Sequence, residues 1–476
     1  MKISLSLSVI CAIFLCTSCE DLLVEAPKSI AVETFYNTEA EVDGAVAAIY
    51  SPLKTVYGTE YIPLHESSTD YHMGGGSYAP NSEFQGLNST NITRSGTKWD
   101  NFYLAVRNAN LVIQNVPKGV LLSDELKNRY IAEARYLRGL IYFQLVRNWG
   151  GVILRTEENM SASDIPRSSV DEVYNLIFGD LQFAEQHLSD DAPVAGRATK
   201  WAAKSVLADV LFYTGNHEQA AAKAKEVMQS DKFNLVQVSV ADDFDKLFGP
   251  EIVTSPEEIF YLKYSHEQEW GYLPFTHAIS SPYLLRAGFG GALYSEEQNY
   301  VYANWDDDDL RKRFGWYKSV LAFGTNTILN KKFSDPGSLQ CRNDYPFYRY
   351  ADVLLLFAEA LCESAGQPTT EAMEALNRVH RRAYGYPSNQ PSPVDFILSD
   401  YDKASFIELV RKERGYETQS EGKRWLDLKR TGKASEYIQV ARGKQIAEMH
   451  YLWPIPVSEM NYNRGLNPDT DQNPGY

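Results

Sequence analysis

Amphipathic helices with strong start signals are the feature of this 476-residue chain that most constrains its fold. Thr38 and Glu41 form a capping box, after which apolar residues recur at helical spacing to Leu53. Ser123 caps a longer helical pattern that continues to Trp149, where two glycines end it. Residues 98–116 and 169–184 also have apolar residues at helical spacing. These patterns predict a mostly α-helical protein.

Two helix pairs have an additional signature. Residues 199–230 read as two helices that meet at Gly215, with alanines where their backbones approach, and they look like a tetratricopeptide unit. Residues 350–383 are a looser copy around Gly366. Such pairs stack because neither helix buries its apolar face alone. We therefore predict a scaffold of tetratricopeptide-like helix pairs and a loop-rich ligand-binding half with little β structure.

The loop-rich half is predicted from two segments without helical or strand periodicity. Residues 261–305 hold eleven aromatic residues among 45 positions, interleaved with Gly, Pro and Ser. Residues 66–93 combine three consecutive glycines with many Ser, Thr and Asn. Long loops of this composition are usually functional. We expect one domain over residues 38–476, with the scaffold mainly in 38–235 and 345–435 and the ligand region mainly in 65–95 and 255–335.

The N-terminus predicts export. Lys2 precedes an apolar stretch that is too short to span a bilayer comfortably and ends in small residues, as in a signal peptide. Residues 15–19 resemble a bacterial lipobox, which predicts a signal peptide at 1–18, lipidation of Cys19 and a tether at 19–37. An ordinary secretory signal is the alternative. Cys341 and Cys362 remain in the body of the protein, where we expect buried free thiols.

Charge and motif content exclude several functions. The chain has 46 Lys and Arg against 62 Asp and Glu, a net charge of -16, which disfavours nucleic-acid binding. It lacks a zinc-protease motif, a Walker loop and a complete nucleophile elbow, so we predict no cofactor, no metal and no catalytic residues. Asp306 to Asp309 read as a solvated turn, with an ion site as the alternative. The many carboxylates leave a glycoside hydrolase open.

A series of short motifs, taken in order, resembles the SusD/RagB family of surface lipoproteins from Bacteroidetes. The motifs are residues 19–22, 135–138, 142–145, 150–152, 166–168, 196–199, 349–352, 421–428, 452–456 and 472–476. The resemblance implies a helical scaffold with a loop-rich half. It also implies an outer-membrane, surface-exposed lipoprotein that binds oligosaccharide without hydrolysing it, on a SusC-like TonB-dependent transporter.

Several motif residues are expected to be structural. Arg135, Arg138 and Asp427 lie on predicted helices and are expected to form ion pairs, with Arg424 and Asp427 adjacent on one helix face. Trp99 and Tyr103 stand at helical spacing and are expected in the core. The segment around Pro454 is expected to act as a structural clasp.

The ligand site is predicted from the aromatic loops. A pyranose can lay its apolar face on a flat ring while side chains bind its hydroxyl groups, and Tyr and Trp lose little entropy on binding. The predicted rings are Tyr71, Tyr78, Trp270, Tyr272 and Tyr283, and the predicted hydroxyl partners are Asp70, Asn81, Glu267 and Gln268.

The sequence thus favours a glycan-capturing lipoprotein that delivers its ligand to a transporter and is not an enzyme. Three alternatives remain open at this point: a peptide-capturing relative on the same scaffold, a glycoside hydrolase lipoprotein, and a structural subunit that only seals its transporter.

Overall fold

Long helices in the first half of the chain begin and end close to the predicted signals. The computed structural model describes residues 35–58, 60–264, 293–318, 324–335 and 342–476. Its helices up to residue 250 are α1 (Glu39–Tyr57), α2 (Tyr61–Glu66), α3 (Ala79–Ser82), α4 (Ser89–Asn115), α5 (Asp124–Trp149), α6 (Val170–His187), α7 (Lys200–Tyr213), α8 (His217–Met228) and α9 (Asp245–Phe248).

The caps explain why these helices start where they do. The side chain of Thr38 accepts a hydrogen bond from the Glu41 amide, and the Glu41 carboxylate accepts one from the Thr38 amide. Ser123 and Ser169 cap α5 and α6 as predicted. The helix predicted over residues 98–116 is longer than expected, because Asn88 caps it and it begins at Ser89.

Shorter helices dominate the second half. They are α10 (Tyr300–Ala303), α11 (Leu310–Gly315), α12 (Tyr350–Ala365), α13 (Thr370–Ala383), α14 (Lys403–Glu417), α15 (Arg424–Arg430), α16 (Ala434–Arg442), α17 (Val457–Tyr462) and α18 (Pro468–Asp471). Among the described residues, none of the helices has the length and apolarity needed to cross a bilayer.

Both predicted helix pairs are present. Gly215, with φ of +81°, lies between α7 and α8, and Gly366, with φ of +73°, ends α12 ahead of α13. A left-handed conformation at these turns suits glycine, which lacks the Cβ that would strain it. Helix α12 packs against α8, α13 and α14, so neighbouring pairs bury one another's apolar faces. The prediction of a mostly helical scaffold built from such pairs is confirmed.

Little β structure is present in the described residues. The strands are β1 (Met73–Gly74), β2 (Glu258–Leu262), β3 (Leu293–Glu296), β4 (Trp316–Lys318), β5 (Thr327–Asn330) and β6 (Tyr345–Arg349). One antiparallel sheet has the order β1-β3-β5-β4, and a second pairs β2 with β6. Met73 lies opposite Tyr294, and Ser295 lies opposite Ile328. The first sheet therefore joins the glycine-containing loop to the later aromatic segment.

The C-terminal segment closes the helical core, as predicted for a clasp. Trp149 packs edge-to-face on Trp99 and on Trp453, with ring centroids 5.4 and 5.0 Å apart. The indole N–H of Trp149 donates to the carbonyl of Pro454 at 3.0 Å. Trp99 is 1% exposed, which confirms its predicted place in the core.

The ion pairs of the motif residues match the prediction only in part. Arg138 holds Asp180 through two hydrogen bonds of 2.7 and 2.8 Å, as expected. Asp427 also forms a structural ion pair, as expected, and its partner is Arg414. Its neighbour on the helix face, Arg424, instead reaches Asp70 across the fold. Arg135 lies over the ring of Phe183, 4.4 Å from its centroid, instead of in an ion pair.

The structure tests the prediction of buried free thiols for one cysteine. Cys362 is a buried free thiol on α12, as predicted, and burial raises its pKa to about 11. It is therefore protonated and unreactive at neutral pH. Cys341 and Cys19 lie outside the described residues.

Candidate functional site

A cavity of about 470 Å³ opens where the second half of the chain meets the loop after α2. Its walls come from four places in the sequence: the loop after α2, helix α10, helix α14, and α15 with α16. The lining residues include Asp70, Tyr71, Tyr300, Val301, Asn304, Glu408, Lys412, Tyr416, Arg424, Glu436, Tyr437 and Val440. Four tyrosines and several hydrogen-bonding groups thus surround one space, as in sites for small polar ligands.

Tyr300 is the ring of this cavity most open to solvent. It is the first residue of α10 and 54% of its surface is exposed. Asn299 caps this short helix by accepting from the amides of Val301 and Tyr302. The same side chain donates to the Asp70 carbonyl at 2.9 Å and to the Ala441 carbonyl at 3.3 Å. Asn299 therefore fixes α10 against the two neighbouring walls.

Tyr416 forms the rigid back of the cavity. Its ring stacks on Trp305 with the centroids 4.0 Å apart and the planes 5° apart. The indole N–H of Trp305 donates to Asp309 at 2.8 Å, which fixes the orientation of the stack. Trp305 and Tyr416 are 4% and 7% exposed. One face of Tyr416 is thus occupied by Trp305, within the same hydrophobic cluster as Tyr71.

A buried ion pair supports the floor. Both carboxylate oxygens of Asp70 accept from Arg424, at 3.0 and 2.6 Å. Burial opposes the charge on Arg424, but the Asp70 carboxylate raises the pKa of the guanidinium above its usual value. Arg424 also lies 5.3 Å from the ring centroid of Tyr437. The pair therefore holds the loop after α2, α15 and α16 together.

Three of the tyrosines that line the cavity carry neutral hydroxyl groups. Burial raises the pKa of Tyr71, Tyr416 and Tyr437, so each phenol stays protonated at physiological pH. The hydroxyl of Tyr437 donates to Glu408. Burial alone would raise the pKa of Glu408. The hydrogen bonds from Lys433 and Tyr437 outweigh burial, so the pKa of Glu408 lies below its usual value. Glu408 is thus an ionised acceptor at neutral pH.

A buried cluster of charges lies behind α14 and anchors it. This charge cluster consists of Glu257, Arg311, Lys332, Arg349, Arg382, Glu413, Glu417 and Glu421, each at most 5% exposed. Glu417 receives Arg349 at 2.7 Å and Arg382 at 2.6 Å. These residues belong to both the helix pairs and the loop-rich half, so the cluster fixes the helix that carries Tyr416 relative to the scaffold.

The charge cluster predicts a loss of stability in acid. Burial would raise the pKa of Glu413, but Arg311 and His380 lower it to about 2, against 4.5 when unperturbed. The unfolded state therefore binds more protons below pH 4.5, and the stabilisation, about 3 kcal/mol from Glu413 alone, is lost as the pH falls through about 2. Glu257 titrates above this window, because burial raises its pKa.

Urea unfolding between about pH 6 and about pH 3 measures this effect. The Glu413→Gln protein should be less stable at pH 6 and should show a weaker dependence on pH below 4.5. A wild-type free energy of unfolding that stays constant between about pH 5 and about pH 3 would contradict the assignment.

The predicted ligand residues fall in three places. Asp70 and Tyr71 line the cavity. Tyr78 is 2% exposed and lies under the Arg94 guanidinium, 4.2 Å from its ring centroid, while the amide of Asn81 donates to Leu64, Ser67 and Ser68. These two side chains are engaged within the fold, and neither of them lines the cavity. Glu267, Gln268, Trp270, Tyr272 and Tyr283 lie outside the described residues.

Three tyrosines of the cavity were not among the predicted site residues. Tyr300 lies in the aromatic segment already singled out, and the preceding Asn299 is a capping residue that could have marked its exposure. Tyr416 and Tyr437 lie on helices in the last quarter of the chain, where ring spacing alone resembles a core stripe. Among the described residues, no three His, Cys, Asp or Glu side chains gather in a way that could hold a metal ion.

The chain is similar to known proteins over most of its length. Residues 286–476 match the family model described as "SusD family", and residues 23–212 match one described as "Starch-binding associating with outer membrane". The chain belongs to the SusD family. SusD-like protein P38 of Formosa agariphila is 29% identical over 520 residues, covering 100% of this chain and 99% of the relative.

Solved structures share the SusD fold over almost the whole length. A SusD homologue from Bacteroides thetaiotaomicron superposes with a TM-score of 0.78 at 22% identity, covering 94% of this chain and 98% of the homologue. A laminarin-binding SusD-like protein gives a TM-score of 0.73 at 24% identity, covering 93% and 100%. At this identity the structures establish the fold of our chain.

Proposed function

We propose that this SusD-family protein is a cell-surface lipoprotein that captures oligosaccharide or polysaccharide in the tyrosine-lined cavity and delivers it to a SusC-like TonB-dependent transporter in the outer membrane. The observation that carries the proposal is Tyr300, an exposed ring held at the rim by a capping residue, above a cavity of about 470 Å³. The laminarin-binding relative and the outer-membrane description of the N-terminal family model support it.

The chemistry of the lining suits a sugar. The exposed ring of Tyr300 supplies a flat surface for the C–H face of a pyranose, and Asn304 and ionised Glu408 supply a donor and acceptors for its rim. One ring contact contributes about 1 kcal/mol, so affinity at a single cavity is modest. Modest affinity suits a protein that hands its ligand on, and anchored copies on one polymer increase the avidity.

Binding without hydrolysis is favoured by Asp70 and Glu408, two of the three carboxylates that line the cavity. A glycosidase needs a carboxylic acid with a raised pKa to protonate the leaving oxygen. Asp70 is held by Arg424 through both oxygens, and the pKa of Glu408 is lowered. Prolonged incubation with oligosaccharides should accordingly release no new reducing ends.

The proposal is tested by replacing the exposed ring. Tyr300→Ala should weaken binding about fivefold, because one stacking platform worth about 1 kcal/mol is lost; the ligand for this test is the polysaccharide that the wild-type protein retains. Affinity electrophoresis in gels with a panel of soluble polysaccharides that includes laminarin measures it. Tyr462→Ala is the matched control, since Tyr462 is 85% exposed but does not line the cavity.

The outcomes separate the alternatives. Equal retention of the Tyr300→Ala, Tyr462→Ala and wild-type proteins would contradict the cavity as the binding site. Retention by no glycan together with binding of peptides would favour the peptide-capturing alternative. Binding of neither ligand would favour a structural subunit of the transporter.

A further inference from the structure

The charged side chains that line the cavity fall into two groups. Five of them reach its walls: Asp70, Glu408, Lys412, Arg424 and Glu436. Asp70 and Arg424 neutralise each other through two hydrogen bonds. Glu408 receives Lys433 at 2.8 Å and Arg411 at 3.1 Å. The charges of these three lining residues are therefore engaged within the protein.

Lys412 and Glu436 form the second group. Within the part of the chain that the structure describes, neither side chain has an ion-pair partner, and both are exposed. We call these two residues the open charges. Lys412 lies on α14 and Glu436 on α16, so the open charges belong to two different walls of the cavity.

The surroundings of Lys412 leave its ammonium group available to a ligand. On a helix, a carboxylate four residues before a lysine is the favoured partner, but Glu408 at that position is held by Lys433 and Arg411. Lys412 instead lies over the ring of Tyr416, with Nζ 5.6 Å from the ring centroid. A cation–π contact at an exposed site is weak, so the ammonium group can turn to a ligand without breaking an ion pair.

The helix start explains why Glu436 needs no cation. Glu436 lies in the first turn of α16, next to Tyr437. A carboxylate is favourable at that end of a helix, where the backbone amides carry a partial positive charge. The helix thus stabilises the charge of Glu436, while its carboxylate oxygens remain able to accept hydrogen bonds from a ligand.

We propose that the open charges make the cavity selective for neutral, hydroxyl-rich glycans over glycans that carry uronic acid or sulfate groups; this inference rests on the proposed function. A sugar hydroxyl both accepts and donates, so a neutral unit can accept from Lys412 and donate to Glu436. An acidic unit could bind Lys412, but its charge would also meet Glu436, in a cavity lined by three carboxylates against two cations. The net charge of -16 adds to the repulsion of a polyanion.

Binding to neutral and anionic polymers tests the selectivity. Biolayer interferometry measures binding of the protein to immobilised laminarin, glucomannan and soluble starch, which are neutral, and to immobilised alginate and polygalacturonate, which are polyanions. The wild type should bind a neutral polymer with a Kd that changes less than about twofold between about 50 and about 500 mM salt, because the ligand carries no charge. It should bind both polyanions at least about tenfold more weakly.

Charge reversal at Glu436 tests the local cause. Glu436→Lys should bind the polyanions at least about tenfold more tightly than the wild type, and the gain should disappear at about 500 mM salt. Glu125→Lys is the matched control, since Glu125 is also an exposed first-turn glutamate, on α5, without an ion pair among the described residues. It does not line the cavity, and Glu125→Lys changes the net charge equally, so its binding should match the wild type.

Removal of the ammonium group tests Lys412. Lys412→Met keeps an unbranched side chain of similar length but loses the donor, so binding to the neutral polymer should weaken about fivefold. The same immobilised polymers measure this loss. All three substitutions replace exposed side chains, and thermal unfolding of the variants should match the wild type.

The possible results distinguish selectivity from capture. Wild-type binding to a polyanion that is as tight as to any neutral polymer would overturn the selectivity; if Tyr300→Ala weakens that binding, glycan capture at the cavity stands. Equal polyanion binding by Glu436→Lys and Glu125→Lys, or unchanged neutral binding by Lys412→Met, would overturn the role of the open charges. Wild-type binding to none of the five polymers would overturn the proposed function and the selectivity together.

Discussion

Replacing Glu417 by glutamine should lower the free energy of unfolding by about 3–5 kcal/mol, the range seen when a buried ion pair loses one partner. Glu417 is 3% exposed and receives Arg349 at 2.7 Å, Arg382 at 2.6 Å and Arg311 at 3.4 Å. Glutamine has almost the same shape but no charge, so three guanidinium groups would remain buried beside a neutral amide. Chemical denaturation at neutral pH measures the change.

A surface ion pair provides the matched control. Glu371 is 60% exposed and pairs with Lys225 at 2.8 Å, and Glu371→Gln should change the free energy of unfolding by less than about 1 kcal/mol. If Glu417→Gln cost no more than Glu371→Gln, the charge cluster would not be what joins the helix pairs to the loop-rich half. Glycan binding should fall together with stability, because α14 carries Tyr416.

Local signals explain how much of the fold could be predicted. Ser123 and Ser169 are followed by apolar stripes, and both helices begin one residue later. The sequence predicts the start of α4 nine residues too late, because the first turns of this helix are polar and form no apolar stripe. Those turns are held by contacts distant in sequence, such as Arg94 with Tyr78. Helix-period reasoning cannot detect such contacts.

Long-range pairing also explains what was missed at the candidate site. Helix spacing put Arg424 beside Asp427, yet the carboxylate that Arg424 binds is Asp70, more than 350 residues away. Tyr71 was predicted because nearby glycines permit close approach, and it does line the cavity. Tyr416 and Tyr437 read as helical core positions, since nothing near them in sequence indicates that α14 and α16 face the same space.

Replacing Trp305 by alanine should both destabilise the protein and weaken its glycan binding. The ring is 4% exposed and its removal leaves a cavity, which costs about 3–5 kcal/mol for a buried aromatic residue. The stacking contact with Tyr416, at 4.0 Å between centroids, is lost as well, and Tyr416 would be free to turn into the space. Binding should then fall more than in Tyr300→Ala, since the back wall loses its shape.

Trp305→Phe separates the two effects. Phenylalanine keeps an aromatic ring behind Tyr416 but removes the indole N–H that donates to Asp309. It should recover most of the polysaccharide retention lost in Trp305→Ala while remaining less stable than the wild type, because the Asp309 carboxylate loses a buried donor. Affinity electrophoresis measures polysaccharide retention, and thermal unfolding measures stability, for the wild-type, Trp305→Ala and Trp305→Phe proteins. Wild-type retention by Trp305→Ala would contradict a role for the Trp305–Tyr416 stack in shaping the site, since the polysaccharide would then be bound independently of that wall.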